Sequence, residues 1–219
     1  MAEPALDPAT ETGTIVVGGT GRVAVQPDLA DLRLGVSVAR PTVAAARAEA
    51  AATMEAILRS VTEMGTERRD IRTTLLSVQP RYDYRDGKAP KLTGYELANV
   101  VEVTIRDLDR VGDVVDGALG AGATSMDGLS FRVADPAPAE REARIRAMAA
   151  ARASADVLAE AAGLAILGVA DVVEGDVPRP PTPRHKAERM AMVTADMGTP
   201  VESGSMEIAV TVTVTYRAR

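Results

Sequence analysis

Near its end the chain places Met206, Ile208, Val210, Val212, Val214 and Tyr216 at every second position, between Glu207, Thr211, Thr213 and Thr215. Successive side chains on a strand point to opposite faces, so a period of two makes a strand with one apolar and one polar side. Such a strand needs backbone partners beside it and a layer over its apolar face. The same period recurs. Ala30, Leu32, Leu34, Val36 and Val38 alternate with Asp31, Arg33, Gly35 and Ser37. Tyr95, Leu97, Val101, Val103 and Ile105 share a face against Glu96, Glu102 and Thr104. Thr14–Gln26, Ile71–Tyr84, Thr124–Val133 and Ile166–Glu174 complete the expected strands.

The covering layer is helical. Val43, Ala46, Ala50, Met54, Ile57, Val61 and Met64 recur at three- and four-residue steps, with Thr42 placed to cap and Gly65 to terminate. Asp107 opens a short helix through Leu119. Asp135-Pro136 opens a long one to Ala162, ended by Gly163, with Ile145, Met148, Ala151, Ala155, Leu158 and Ala162 as its expected stripe. Three units of helix, glycine and strand follow one another, at Thr42–Tyr84, Asp107–Val133 and Pro136–Glu174, without a residue-level repeat. The expectation is an α+β fold: long antiparallel strands and hairpins packed against two long helices and one short one. Pro27-Asp28 reads as the turn of a first hairpin joining Thr14–Gln26 to the strand after it. The polar loop Arg85-Asp86-Gly87-Lys88 reads as the tip of a second, arm-like hairpin suited to reaching a neighbouring subunit.

Two segments fall outside this pattern. Residues 1–13 form a polar, Pro-bearing tail that is expected to be disordered, leaving 14–219 as the folded region, one large domain or two small intertwined ones. The tail lacks a basic segment followed by an apolar one, so the expected compartment is the cytoplasm, or the periplasm and cell envelope if a leader was removed. Residues 175–200 are a Pro- and Met-rich loop with no periodicity. Pro180, Pro181, His185, Met190 and Met192 are its candidate protein-binding residues, because Pro-rich segments and deformable Met side chains both serve recognition.

Composition narrows the function. There is no Trp, one Phe and four Tyr in 219 residues, so the core is built from small and branched aliphatic side chains. Such a core buries less apolar area per residue, at about 25 cal/mol per Å², and self-association is one way to recover burial. A net charge of −6 and the scarcity of rings argue against a nucleic-acid partner. Cysteine is absent, which excludes disulfides, thiolate metal sites and Cys nucleophiles. No run of 18 apolar residues exists to span a membrane as a helix.

Few residues suggest chemistry. Gly18-Gly19-Thr20-Gly21 lacks the third glycine of a dinucleotide fingerprint and the Gly-Lys-Ser/Thr of a P-loop, and reads as a bulge or a close backbone approach. His185 is the only histidine, too few for an imidazole metal site, and sits in the loop. Asp107, Asp109, Asp113 and Asp116 could ligate a cation. The last three lie at helical spacing, and the group lacks the alternating ligands and glycine of a calcium loop. Glu140-Arg141-Glu142 with Arg144 and Arg146 reads as a solvated helix face or as an ion-pair seam between subunits. No cofactor, metal or catalytic set is expected. An enzyme using carboxylates would require a convergent buried pair.

Several phrases, in their order, resemble the SIMPL-domain (DUF541) family. They are Val16-Val17-Gly18-Gly19-Thr20-Gly21 with Pro27-Asp28; Gly94-Tyr95 with Asn99 and Val101; Asp107-Leu108 through Gly122-Ala123; Glu142-Ala143-Arg144 through Gly163-Leu164; and Pro200-Val201 with Gly204 and the closing Val/Thr strand. The resemblance covers about residues 14 to 217. It implies an α+β fold, an envelope location in bacteria, a large ring- or channel-like homo-oligomer in at least one relative, and a link to oxidative-stress tolerance. It brings no catalytic residues. The expected function is therefore a non-enzymatic, homo-oligomeric scaffold, with a protein-binding adaptor using residues 175–200 as the alternative.

Overall fold

The computed structural model describes residues 13–84, 89–175 and 199–219. They contain seven strands and three α-helices, in the order β1 (Gly13–Val25), β2 (Leu29–Arg40), α1 (Val43–Glu63), β3 (Ile71–Asp83), β4 (Lys91–Ile105), α2 (Val111–Gly120), β5 (Ser125–Arg132), α3 (Ala137–Ala162), β6 (Ile166–Glu174) and β7 (Met206–Ala218). The fold is α+β, with two long helices, one short helix and two antiparallel sheets. Two compact units share the chain. One is built from residues 13–25, 135–175 and 205–219, the other from 26–134 and 199–204.

The first unit is a three-stranded sheet, β1-β7-β6, covered by α3. β7 pairs with β1 from Gly13↔Ala218 to Val25↔Met206. Its alternation buries Val212, Val214, Tyr216 and Ala218 beside Ile15 and Val17 of β1. The helix face they meet shares Ala151 and Ala155 with the expected stripe, and Met148 packs partly buried beside it, but it departs from that stripe elsewhere. Ala143, Ala147, Ala151, Ala155 and Ala159 are buried, whereas Ile145 is 56% and Leu158 50% exposed. The reason lies in β1. A Cβ on Gly19 would stand 2.1 Å from the Ala147 carbonyl oxygen, and one on Gly21 1.9 Å from that of Ala143. Strand and helix backbones touch, so only the smallest side chains fit between them. The glycine run is thus a close backbone approach. Asp135 accepts the Ala137 N–H at 3.1 Å at the start of α3, and Gly163 ends it in the left-handed conformation with φ +66°.

The second unit is a four-stranded sheet, β3-β4-β2-β5, with α1 and α2 packed against each other and against one of its faces. The even-numbered β2 residues Leu32, Leu34 and Val36 meet Val101 and Val103 of β4 and Ile57 and Val61 of α1. Thr42 caps α1, its hydroxyl accepting the Ala45 N–H at 3.2 Å. Asp107 makes no side-chain cap; a single 3-10 turn, Leu108–Arg110, leads into α2 instead.

The expected first hairpin is not formed. β1 pairs with β7, and β2 pairs with β4 and β5. Asp28 is committed to the β2–β5 pairing rather than to a reversal. Its N–H donates to the Arg132 carbonyl at 3.2 Å, and its side chain accepts the Ala134 N–H at 2.7 Å.

Candidate interaction surface

β3 is the outer strand of the four-stranded sheet, hydrogen-bonded to β4 on one side only. None of its 13 residues is buried. The register with β4 skips Thr74, so Ile71, Thr73, Leu76 and Val78 lie on the helix-bearing face while Thr74 stands out of phase with them. α1 lies over β2 and β4, and Leu76 is left 67% exposed. Toward the tip of the β3–β4 arm, Tyr82 and Leu92 face each other across the strands, and Tyr84 is the most exposed large apolar residue described, at 72%. The Tyr82 and Tyr84 rings pack tilted, with centroids 6.4 Å apart. Beside them a depression of about 380 Å³ is lined by Arg40, Arg81, Tyr82 and Tyr95. At its base Gly94 (φ +152°) lets the backbone pass the Arg40 carbonyl, where a Cβ would stand 2.6 Å away. In the other unit the outer strand β6 likewise exposes Leu167, Val172 and Val173.

The sheet face away from the helices carries ordered ion pairs. Glu102 takes Arg72 at 2.7 Å and Arg33 at 3.2 Å. Asp31 takes Arg132 at 2.6 Å and the Thr104 hydroxyl at 2.6 Å. Asp70 receives both arms of Arg106, at 2.7 and 2.9 Å. The carboxylates are tucked beneath half-exposed guanidinium groups. All three are held below the usual carboxylate range. For Glu102 the cause is the hydrogen bond from Arg72, aided by Arg33, against a smaller effect of burial. For Asp70 it is the hydrogen bond from Arg106. For Asp31 burial pushes upward most strongly, and the Arg132 and Thr104 hydrogen bonds together with the arginine charges outweigh it. These carboxylates are permanent anions at neutral pH, paired and unsuited to accept a proton.

The candidate binding residues Pro180, Pro181, His185, Met190 and Met192 lie outside the described residues, as does the turn at 85–88. The aspartates considered as cation ligands do not converge; no group of three or more His, Asp or Glu among the described residues is placed to hold a metal. Asp116 instead accepts the Thr199 hydroxyl at 2.7 Å and its N–H at 3.1 Å, and the hydroxyl bond above all holds its carboxyl below the usual range. The charged start of α3 is satisfied within the chain. Arg144 bridges Glu174 at 3.0 Å and Glu140 at 3.4 Å; Arg146 takes Glu142 at 2.9 Å and the Arg22 carbonyl at 2.8 Å. Sequence reading found the arm and missed the exposure of β3, because an apolar alternation reports a strand without reporting whether anything covers it.

The described residues thus define an α+β protein whose surface features are uncovered strand edges and closed ion-pair rows. The chain belongs to the SIMPL family, described as a protein of unknown function (DUF541), which it matches over residues 15–216. It is 31% identical over 216 residues to the 26 kDa periplasmic immunogenic protein of Brucella melitensis, covering 96% of this chain and 86% of that one. The uncharacterized protein YggE of Escherichia coli K12 is 37% identical over 130 residues, covering 59% of this chain and 52% of that one. YggE of Edwardsiella ictaluri is 30% identical over 185 residues, covering 83% and 77%.

Proposed function

We propose that the protein is a non-enzymatic, homo-oligomeric scaffold whose copies associate through the β3–β4 arm. The observation that carries this reading is β3 itself, a 13-residue outer strand with no buried residue, ending beside the exposed pair Tyr82 and Tyr84. An uncovered apolar edge is a template for another chain, and aromatic side chains are favoured anchors at interfaces. The aliphatic, ring-poor core gives a second reason to gain burial between copies. The family resemblance adds a ring-like assembly and a part in stress tolerance to this reading, and the periplasmic name of the Brucella relative supports a place in the cell envelope.

Sedimentation or light scattering on the purified chain tests the proposal. A particle several times the 22.9 kDa chain mass is expected. Tyr82→Ser/Tyr84→Ser should shift it toward the monomer while circular dichroism stays unchanged. A clean monomer across micromolar concentrations sinks the assembly, and an unaltered oligomer in the double variant sinks the arm as its contact.

A further inference from the structure

Asn99 is out of character with its surroundings. It sits on the core-facing row of β4, where Leu97, Val101, Val103 and Ile105 are buried aliphatic residues. Its cross-strand neighbours are Val36 and Leu76. Its side-chain oxygen Oδ1 is buried and accepts no hydrogen bond from any described residue; it is the sole such atom among them. A buried acceptor without a donor costs roughly 1–3 kcal/mol, and an apolar residue of similar size at that position would avoid the cost. Orphaned buried polar atoms therefore call for a reason, and one such reason is a partner that is not part of the chain.

The space in front of Asn99 provides for one. An open depression of about 570 Å³ lies along α1, with Met54, Leu58 and Asn99 in its lining beside the charged Glu55, Arg59, Glu63 and Arg68. A second, of about 160 Å³, adjoins it through the shared residues Leu58, Thr62 and Arg68, and is floored by Ile71 and Val101. Together they form one groove of mixed lining, aliphatic at Met54, Leu58, Ile71 and Val101 and charged along the outer side of α1, with one buried acceptor that no described group fills, Asn99 Oδ1. The Thr62 hydroxyl hydrogen is already used, donated to the Leu58 carbonyl at 2.7 Å. At the mouth stand two acids, Glu55 and Glu63, and two bases, Arg59 and Arg68, so the rim carries no net charge. The volume of the groove lies within the size range of small-molecule sites.

We propose that this groove binds a small, neutral aliphatic molecule bearing one N–H or O–H donor, an amide or an alcohol, whose chain lies against Met54, Leu58, Ile71 and Val101 and whose donor hydrogen-bonds to Asn99 Oδ1. A carboxylate has no hydrogen to donate to Oδ1 at neutral pH, and a rim with two acids and two bases supplies no net charge to hold a charged head of either sign. This groove adjoins the Ile71 end of β3, whereas the arm tip lies at Tyr82 and Tyr84.

The test is methyl and side-chain amide NMR on the full chain titrated with octanamide. Saturable shifts are expected at Leu58 and Val101 and at the Asn99 side chain. N,N-dimethyloctanamide, which lacks the donor, and octanoate, which is charged, should each bind at least tenfold more weakly. Asn99→Val should abolish the octanamide shifts and raise the melting temperature by a few degrees, since a buried orphan has been removed. Equal binding of the donorless amide would overturn the role of Asn99. Shifts that fall elsewhere, or none, would overturn the site. An Asn99→Val variant with a lower melting temperature and unchanged octanamide binding would show the amide to be structural.

Discussion

Gly19 and Gly21 do the most for the least mass. Their missing Cβ atoms let β1 lie directly on the alanine row of α3, and they decide which face of that helix is buried. Gly21→Ala should therefore destabilise the fold by about 3 kcal/mol, at the upper end of the usual overpacking cost, because the clash is with backbone rather than with a side chain that can turn away. Gly18→Ala is the matched control. Its Cβ would meet nothing nearer than the Val212 carbonyl at 3.9 Å, so its effect should stay within about 1 kcal/mol. Urea unfolding of the two variants separates them, and equal losses would argue against the backbone contact. The alanine row also shows where reading by pattern stops. Helical spacing picks out Ala151 and Ala155 correctly, and Met148 packs at the edge of the buried cluster, but Ile145 and Leu158 face outward. The rest of the stripe could be found only by pairing the helix with the glycines of a strand more than a hundred residues earlier.

The elements themselves were largely legible. Period-two alternation located the strands and three- and four-residue spacing located the helices, because each signal is local. Pairing was not, since β1 and β2 alternate equally well and nothing in either names its partner. At this scale the open face of the four-stranded sheet carries a pH signature. Asp31, Asp70 and Glu102 titrate lower in the folded chain than in the unfolded one, so each contributes stability that is fully present above the unfolded carboxylate value, near 4. That contribution is lost as the pH falls through the depressed folded values. The melting temperature should decline below about pH 4, and Arg72→Gln/Arg132→Gln should flatten the decline while lowering stability at neutral pH. A slope unchanged by the double variant would count against the ion pairs as its source. For α1, Thr42→Ala should cost about 1 kcal/mol through loss of the bond to the Ala45 N–H, measurable by the same denaturation.

For the molecule as a whole, the family was legible from an ordered set of short phrases, while the exposure of β3 was not. Burial depends on what lies beside a residue, and the sequence shows only what lies before and after it. Leu76 and Val78 have the same alternating signature as Leu32 and Leu34, yet the first pair is exposed and the second fully enclosed. The candidate loop residues at 180–192 would have to be tested directly, by deleting 178–199 and asking whether partner capture is lost with the fold retained.

The order of synthesis gives the first sheet an awkward history. Thr20 of β1 meets Thr211 of β7 across 191 positions of chain. β1 is synthesised ahead of the other described strands, and its apolar face and the edge that pairs with β7 stay unmatched until β7 has been made. Pairings this distant close slowly and leave sticky intermediates meanwhile. Chaperone dependence, and aggregation of C-terminally truncated chains, follow from where that one partner is encoded.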